Sequence, residues 1–259
     1  MTWTAILLAG QRPGADPLAT HFGQEWKALV PIAGEAMLSR VAHVLLGCPS
    51  IARVVVVAQR PQALFVGDCA WLAQDARVAT AVSGAGIAAS VAALAGTAVA
   101  PWPLLLTTAD HPLLSAAMVE AVIAGTGTAD VGVGVVARRT LLAAYPENRR
   151  TWLAFAGEAW TGANLFALRT PVATRALSAW SAVERDRKKA IKLLWHFGPL
   201  LALRALTRTI TLDRALRNAG RRLGVEARAV ALPFAEAGID VDKPSDHMLA
   251  EAILRAREA

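Results

Sequence analysis

The chain has few of the residues that build disulfide frameworks, zinc sites or aromatic binding platforms. Only two of its 259 residues are cysteines, Cys48 and Cys69, and aromatic residues make up 6%. The cysteines form no C-x-x-C pair and have no histidine at metal-ligand spacing, so neither a zinc site nor a disulfide framework is indicated. Residues 5–8 are too short an apolar segment for a signal peptide, and no basic segment precedes them. We therefore expect a reduced, cytoplasmic setting.

Residues 78–109 lack any charged side chain, which raises the question of a membrane span. Glycines and prolines interrupt this segment at several places. A buried helix followed by a fully buried parallel strand has the same hydropathy, so the segment predicts core structure and no membrane span.

Strand-like and helix-like segments alternate along most of the chain. Strands are predicted at 4–9, 53–58, 78–82, 104–108, 130–136, 163–168 and 226–232. Helices are predicted at 37–46, 61–72, 87–95, 115–123, 172–180, 187–206, 212–223 and 244–257. With 55% apolar residues, a chain of this size forms a large core within one domain, residues 1–259. The pattern predicts a Rossmann-like, three-layer α/β/α fold with a mainly parallel sheet, plus a helical insertion at about 171–224.

Positive charge is concentrated in one segment. The formal net charge is +7, and residues 185–228 hold twelve Lys or Arg against three Asp or Glu. A basic segment on a nearly neutral body indicates an anionic partner. Aromatic residues are sparse there, which argues against nucleic acid. Two interpretations stay open. The segment 187–206 can contact a membrane surface peripherally, or the insertion is structural or forms a homodimer.

The loop after the first strand is the strongest local signal of function. Residues 6–14 (ILLAGQRPG) form a buried strand that leads into a loop with Gly10 and Gly14, and Lys27 follows downstream. Glycines let the backbone approach a ligand closely, while Arg12 and Lys27 can neutralise a polyphosphate. The spacing fits neither the G-x-x-x-x-G-K-[ST] nor the G-x-G-x-x-G motif. An ordinary turn is the alternative.

Three further segments follow in a recognisable order: 83–90 (SGAGIAAS), 104–112 (LLLTTADHP) and 239–246 (IDVDKPSD). Together with the loop at 6–14 and Lys27, they make the chain resemble the MobA-like nucleotidyltransferases, relatives of the sugar-phosphate and methylerythritol-phosphate nucleotidylyltransferases. The resemblance covers roughly residues 3–140 and 226–257. It departs from the pattern in the length of the loop before Lys27 and in the absence of any motif over about 141–225.

The resemblance implies transfer of a nucleoside monophosphate from an NTP to a small phosphorylated acceptor, with release of pyrophosphate. Positioning and charge neutralisation supply most of the catalysis in such a reaction. CTP is weakly preferred as donor because 83–90 is similar to the corresponding segment of cytidylyltransferases. A non-catalytic nucleotide-binding regulator or scaffold of the same fold is the alternative. The nucleotide-binding residues implied are Leu8, Ala9, Gly10, Arg12, Lys27, Ser83, Gly84 and Ser90.

Carboxylates that follow predicted strands are the candidate ligands of Mg²⁺, the cofactor that the resemblance implies. Mg²⁺ prefers oxygen ligands and often takes one or two carboxylates plus substrate phosphates. Asp110 and Asp240 are expected to hold the ion, with Asp242 as a further ligand or a turn former. Arg12, Lys27, Asp110 and Asp240 are thus the predicted catalytic residues. The alternatives are a helix cap for Asp110, a polar turn for 240–242 and a solvated loop side chain for Lys27.

Arg149, Arg150 and Asn164 are the predicted acceptor-binding residues. An arginine pair suits a phosphomonoester because guanidinium groups bind phosphate in two-point geometry. A solvated turn at 149–150 is the alternative. Asn164, with Gly10, Ser83 and Asp110, is expected at or just beyond the carboxyl end of a parallel strand, where ligands bind in open α/β sheets.

Overall fold

The computed structural model describes residues 1–12, 14–185 and 207–258, and the helices and strands are numbered within these ranges. The predicted basic helix at 187–206, with its membrane contact, lies outside the described residues and stays a prediction. The strands are β1 (Trp3–Leu8), β2 (Pro31–Ile32), β3 (Glu35–Ala36), β4 (Ile51–Ala58), β5 (Val78–Val82), β6 (Leu104–Thr108), β7 (Val131–Ala137), β8 (Leu153–Phe155), β9 (Glu158–Leu168) and β10 (Ala227–Ala231). The helices are α1 (Pro17–His21), α2 (Met37–Gly47), α3 (Ile87–Leu94), α4 (Ala116–Thr126), α5 (Arg138–Ala144), α6 (Thr174–Arg185), α7 (Leu212–Leu223) and α8 (Pro244–Glu258).

The central sheet has the strand order β10-β7-β9-β6-β1-β4-β5, and β8 pairs with β9 at one side. The ladders β1–β4, β1–β6, β4–β5 and β7–β10 are parallel. This confirms the predicted α/β fold with a mainly parallel sheet. The exception is β9, which runs antiparallel to both β6 and β7 because the β8–β9 hairpin turns the chain back.

The two faces of the sheet bury separate apolar layers, which follow from the alternation of side chains along each strand. In β1, Ala5 and Leu7 pack on the face covered by α2 and α4, whereas Ile6 packs on the face covered by α3 and α6. Helices on both faces complete the predicted three layers. No helix among the described residues is long and apolar enough to cross a membrane.

Helix α7 has the amphipathic character that its sequence predicts. Thr211 caps its amino terminus, and Gly224 ends it in the left-handed conformation. Its arginines at 214, 217, 221 and 222 are exposed, while Leu223 packs on the apolar layer beside α6.

Several local predictions were wrong. The helix predicted at 61–72 is two short 3₁₀ turns, Pro61–Leu64 and Gly67–Ala73. Gly67 has a φ of +51°, a conformation that interrupts a right-handed helix. Helices α1 and α5 were not predicted because each is too short, at five and seven residues, to show a helical period.

Candidate active site

The parallel register brings sequence-distant residues to one edge of the sheet. Ala9 N donates to Val57 O at 2.9 Å, and Ala109 N donates to Leu8 O at 2.9 Å. These bonds place the residues just after β1, β4 and β6 side by side. Gly10 and Asp110 therefore leave the sheet at the same edge, as the sequence predicts.

A glutamine that follows β4 holds the loop after β1. Gln59 Nε2 donates to Gln11 O at 2.7 Å, and Gln11 N donates to Gln59 Oε1 at 3.3 Å. A Cβ at Gly10 would lie 3.0 Å from Gln59 Oε1, so glycine leaves room for this contact. The side chain of Gln11 in turn accepts from Lys27 N at 3.0 Å. The loop is thus fixed to both β4 and the lysine, through two glutamines that the sequence analysis missed.

Beside this loop lies an open cavity of about 520 Å³. Its lining includes Gln11, Arg12, Gly14, Trp26, Gln59 and Arg60. Arg12 is exposed, and its charge contributes to lowering the pKa of Asp242. The predicted phosphate-binding arginine therefore lines the cavity, and its charge acts on one of the carboxylates described next.

Lys27 lies between two carboxylates. Its Nζ donates to Asp110 Oδ2 at 2.7 Å and also to Asp242 Oδ1. Burial acts to lower the pKa of Lys27, but the charges and hydrogen bonds of Asp110 and Asp242 outweigh burial and raise it above its ordinary value. For Asp242 burial acts to raise the pKa, and Lys27, Arg150 and Arg12 outweigh it, so the pKa is lowered. Lys27 is therefore a partly buried cation of the site, not a solvated loop lysine.

Asp240 reaches the same place from the segment after β10. Ile239 and Val241 are buried in the core, so the alternation of an extended segment turns Asp240 the other way. Val241 N donates to Asp110 O at 2.8 Å, which ties this segment to the end of β6. The charge of Asp110 contributes to raising the pKa of Asp240. The two predicted metal-binding carboxylates therefore lie near each other at one edge of the sheet.

Arg150 and Asn164 hold the carboxylate of Asp240. Arg150 Nη2 pairs with Asp240 Oδ1, and Asn164 Nδ2 donates to Oδ2 at 3.0 Å. Arg150 Nε also donates to Gly238 O at 2.7 Å. Burial raises the pKa of Asp240, with Arg150 opposing it and Asp110 and Asp242 adding to it. Both residues, predicted to bind the acceptor, thus already contact a carboxylate of the site.

The sequence analysis expected Asn164 at or just beyond the carboxyl end of a parallel strand, and this prediction was wrong. Asn164 lies within the antiparallel strand β9, where the pairing with β7 shifts between Val133 and Val135. Its φ of +49° is left-handed, a conformation that asparagine adopts more readily than most residues. This irregularity in β9 accompanies the turn of the Asn164 side chain toward Asp240.

Arg149 differs from its neighbour. It is exposed and contributes to the wall of a second cavity, between the end of α5 and the start of α8. The structure therefore separates the predicted arginine pair, because Arg150 turns toward Asp240 and Arg149 toward this cavity.

The segment after β5 forms a closed loop. Ser83 N donates to Ala58 O at 2.8 Å, which places Ser83 at the same sheet edge as Gly10. Ser90 is buried, and its Oγ accepts from Gly84 N at 2.8 Å and donates to Gly86 O at 2.7 Å. In this structure Ser90 therefore shapes the loop. A residue missed by the sequence analysis, Glu184, accepts from Ile87 N and Ala88 N at 2.8 and 3.1 Å and caps α3.

The carboxylates of the site can supply some of the oxygen ligands that a small cation needs, and the phosphates of a substrate would have to supply the others. Among residues 1–12, 14–185 and 207–258 there is no group of three or more His, Cys, Asp or Glu side chains arranged to hold a metal ion. Asp110 Oδ1, however, is buried without a hydrogen-bond partner. A carboxylate oxygen of this kind is a suitable ligand for Mg²⁺, which needs only one or two protein carboxylates when phosphates supply the rest.

His111, next to Asp110, is fully buried, and burial lowers its pKa to about 4. Its ring is therefore neutral at ordinary pH.

Comparisons with known proteins agree with this fold. A hypothetical transferase from Thermus thermophilus is 29% identical, with a TM-score of 0.78 over 95% of this chain and 100% of the other. The 2-C-methyl-D-erythritol 4-phosphate cytidylyltransferase from the same organism is 15% identical, with a TM-score of 0.55 over 98% of this chain and 100% of the other. CMP:2-keto-3-deoxy-manno-octonic acid synthetase, complexed with CTP, is 16% identical, with a TM-score of 0.60 over the whole of both chains. No curated protein matches the chain.

The fold is thus that of a nucleotidyltransferase, with lysine and carboxylates gathered at the carboxyl edge of its sheet. Residues 5–185 match the MobA-like NTP transferase domain. The chain belongs to this family, as the four sequence segments indicated.

Proposed function

We propose that this protein transfers a nucleoside monophosphate from an NTP, with CTP weakly preferred, to a small phosphorylated acceptor and releases pyrophosphate. The observation that carries the proposal is the convergence of Asp110, Asp240 and Asp242 with Lys27 beside the glycine loop after β1. Membership of the MobA-like NTP transferase family supports the reaction class.

The reaction joins two anions. An oxygen of the acceptor phosphate attacks the α-phosphorus of the NTP and forms a new P–O bond. The bond from the α-phosphorus to the bridging oxygen breaks, and pyrophosphate leaves with the electron pair. An ionised phosphate needs no base to remove a proton, so the protein has to position the reactants and neutralise charge.

The cations near the glycine loop suit this task. Arg12 lines the cavity beside the loop, which supports its assignment to the triphosphate. The side chain of Lys27 stays protonated, and therefore positively charged, because Asp110 and Asp242 raise its pKa. We assign both residues to stabilising the negative charge that develops on the leaving pyrophosphate.

Asp110 and Asp240 would hold Mg²⁺. Asp242 would either keep its ion pair with Lys27 or act as a further ligand of the ion. The ion would supply charge neutralisation between the reacting phosphates. Arg150 and Asn164 fix the orientation of Asp240. We infer that their role is to position this carboxylate.

The preference for CTP rests on the segment 83–90 and on the similarity in fold to two proteins that use or bind CTP. The loop Ser83–Gly86 lies at the same sheet edge as the glycine loop, held by Ser90. This placement is compatible with contact to the base of the nucleotide.

A pyrophosphate-release assay with CTP, GTP, UTP and ATP, each combined with a panel of phosphorylated acceptors, tests the proposal. We expect Mg²⁺-dependent turnover, and a fall of about a hundredfold or more in kcat for Asp110→Asn, because an electrostatic contact made in the transition state is lost. Asp68→Asn, at an exposed position on the 3₁₀ turn Gly67–Ala73, is the matched control and should keep wild-type turnover.

Absence of turnover together with absence of Mg²⁺-dependent NTP binding would remove the proposal. If the protein binds NTP without turnover, and Asp110→Ala keeps its biological effect, the regulator or scaffold becomes the better description. Homodimer formation stays a prediction, which light scattering would test. Membrane contact through 187–206 also stays a prediction, which co-sedimentation with anionic liposomes would test.

A further inference from the structure

The second cavity has a definite place relative to the reacting groups. It has a volume of about 520 Å³ and lies between the loop after α5 and the first turns of α8. Arg149, on one wall, is followed by Arg150, which pairs with Asp240. Lys243, on the other wall, is preceded by Asp242, which pairs with Lys27. Both walls therefore continue directly into the carboxylate cluster.

The strand order places this cavity on the opposite side of Asp110 from the glycine loop. Asp110 follows β6, which lies between β1 and β9 in the sheet. The glycine-loop cavity is formed by residues that follow β1 and β4, whereas the second cavity is formed by residues that follow β7 and β10. A reaction between two phosphorylated molecules needs two such subsites, one on each side of the reacting phosphorus.

The polar side chains of the second cavity have capacity for a ligand. Within the described residues, Arg149 and Lys243 form no ion pair, in contrast to Arg150 and Lys27. Asn148 Oδ1 is buried without a hydrogen-bond partner. Glu147, Ser245 and Asp246 also line the cavity, and Asp246 Oδ2 accepts a hydrogen bond from Asp242 N at 3.2 Å. The cavity thus offers two cations for an anionic ligand together with groups that bind hydroxyls.

We propose that this cavity binds the acceptor and that the acceptor is a phosphomonoester carrying several hydroxyl groups, such as a phosphorylated polyol or sugar. Arg149 and Lys243 hold the phosphate, and Glu147, Asn148 and Ser245 bind the hydroxyls. Guanidinium and ammonium groups are the usual partners of phosphate, and a carboxylate accepts hydrogen bonds from hydroxyls. This inference rests on the proposed function, and it replaces Arg150 and Asn164 by Lys243 as partner of Arg149.

Binding measurements separate this inference from the proposed function. Calorimetry and ligand-observed NMR are used with four probes: inorganic phosphate, glycerol 3-phosphate, ribose 5-phosphate and glucose 1-phosphate. We expect the wild type to bind at least one of the three esters. The double variant Arg149→Gln/Lys243→Gln should weaken that binding by about tenfold or more, because it removes two charged hydrogen bonds. Binding of CTP with Mg²⁺ should change by less than about twofold, since neither side chain lines the glycine-loop cavity.

Two further variants sharpen the result. Arg214→Gln/Arg221→Gln removes the same charge from exposed positions on α7, which line neither cavity, and should bind all probes as the wild type does. Glu147→Gln should weaken the esters but leave inorganic phosphate unchanged. An equal effect on both would contradict the assignment of Glu147 to hydroxyls.

The acceptor site is refuted if no probe binds the wild type, or if the Arg149 and Lys243 variant binds the esters normally. Failure of the wild type to bind any NTP would instead refute the proposed function and leave the phosphoester site standing. Circular dichroism and thermal melts confirm that each variant is folded.

Discussion

Replacing Arg150 by methionine tests whether the orientation of Asp240 depends on one buried ion pair. Arg150→Met keeps the apolar stem but removes the bonds to the Asp240 carboxylate and to Gly238 O. The side chains of Arg150 and Asp240 are 14% and 24% exposed. Breaking a fully buried pair costs about 3–5 kcal/mol and an exposed pair about 0–1 kcal/mol. Because the pair is mostly buried, we expect a loss of about 2–3 kcal/mol, or roughly 5–10 °C in melting temperature.

The loss should depend on pH in a defined direction. Burial already raises the pKa of Asp240, and Arg150 opposes this rise. Without Arg150 the pKa rises further, so the folded variant takes up a proton at higher pH than the wild type. The loss of stability caused by Arg150→Met is therefore largest at high pH, where Asp240 is ionised. It becomes smaller as the pH falls and Asp240 becomes protonated.

Urea unfolding of Arg150→Met, Asp240→Asn and the double variant, each at pH 8 and pH 5, measures this coupling. The double variant should lose less than the sum of the single losses, by about 1–2 kcal/mol at pH 8. Arg139→Met is the control, because the Arg139 side chain is 80% exposed and its pair with Glu158 is 3.4 Å long. Its cost should stay below about 0.5 kcal/mol. Additive losses, or a cost of Arg150→Met that does not change with pH, would refute the reasoning.

Three further predictions concern other parts of the molecule. Gln59→Ala removes two hydrogen bonds that hold Gln11, so steady-state kinetics should show the KM for NTP raised about fivefold with a smaller change in kcat; an unchanged KM would contradict the role given to this glutamine. The pKa of His111 is lowered to about 4, so the unfolded chain binds its proton first and stability falls as pH drops from 6.5 toward 4. Relative to His111→Asn, the wild type should lose about 3 kcal/mol more between pH 7 and pH 4 in urea titrations, and parallel pH profiles would show that the ring is not held neutral. Cys48 and Cys69 are buried with pKa values raised to about 11 and about 12, so an aromatic disulfide reagent at pH 8 should label them only after unfolding, and rapid labelling of the native protein would show that the core opens there.

The parts of the fold that the sequence predicted are those with strong local patterns. The strands Val78–Val82 and Leu104–Thr108 were predicted with the bounds that the structure has. Each is a short apolar segment bounded by turn residues. The helix predicted at 115–123 begins at Ser115, and in the structure the side chain of Ser115 caps α4 by accepting from Met118 N. Residue pattern and capping chemistry are local, so the sequence alone displays them.

The parts that could not be predicted depend on contacts between distant segments. Nothing near Asn164 in the sequence signals the shift in pairing that turns it toward Asp240. Arg149 and Arg150 are chemically identical, yet only the tertiary structure decides that one binds a carboxylate and the other lines a cavity. Gln59 follows β4 without any motif, and its role is visible only once β4 lies beside β1.

The antiparallel seam between β6 and β9 divides the sheet into two segments that are each continuous in the chain. Strands β1, β4, β5 and β6 come from residues 3–108, whereas β7, β8, β9 and β10 come from residues 131–231. During synthesis on the ribosome, the first group has all of its own parallel ladders available before β9 is translated. Asp240 follows β10, so the glycine loop, Lys27 and Asp110 are all translated before it. Only a chain translated past both halves of the sheet can bring Asp110 and Asp240 together.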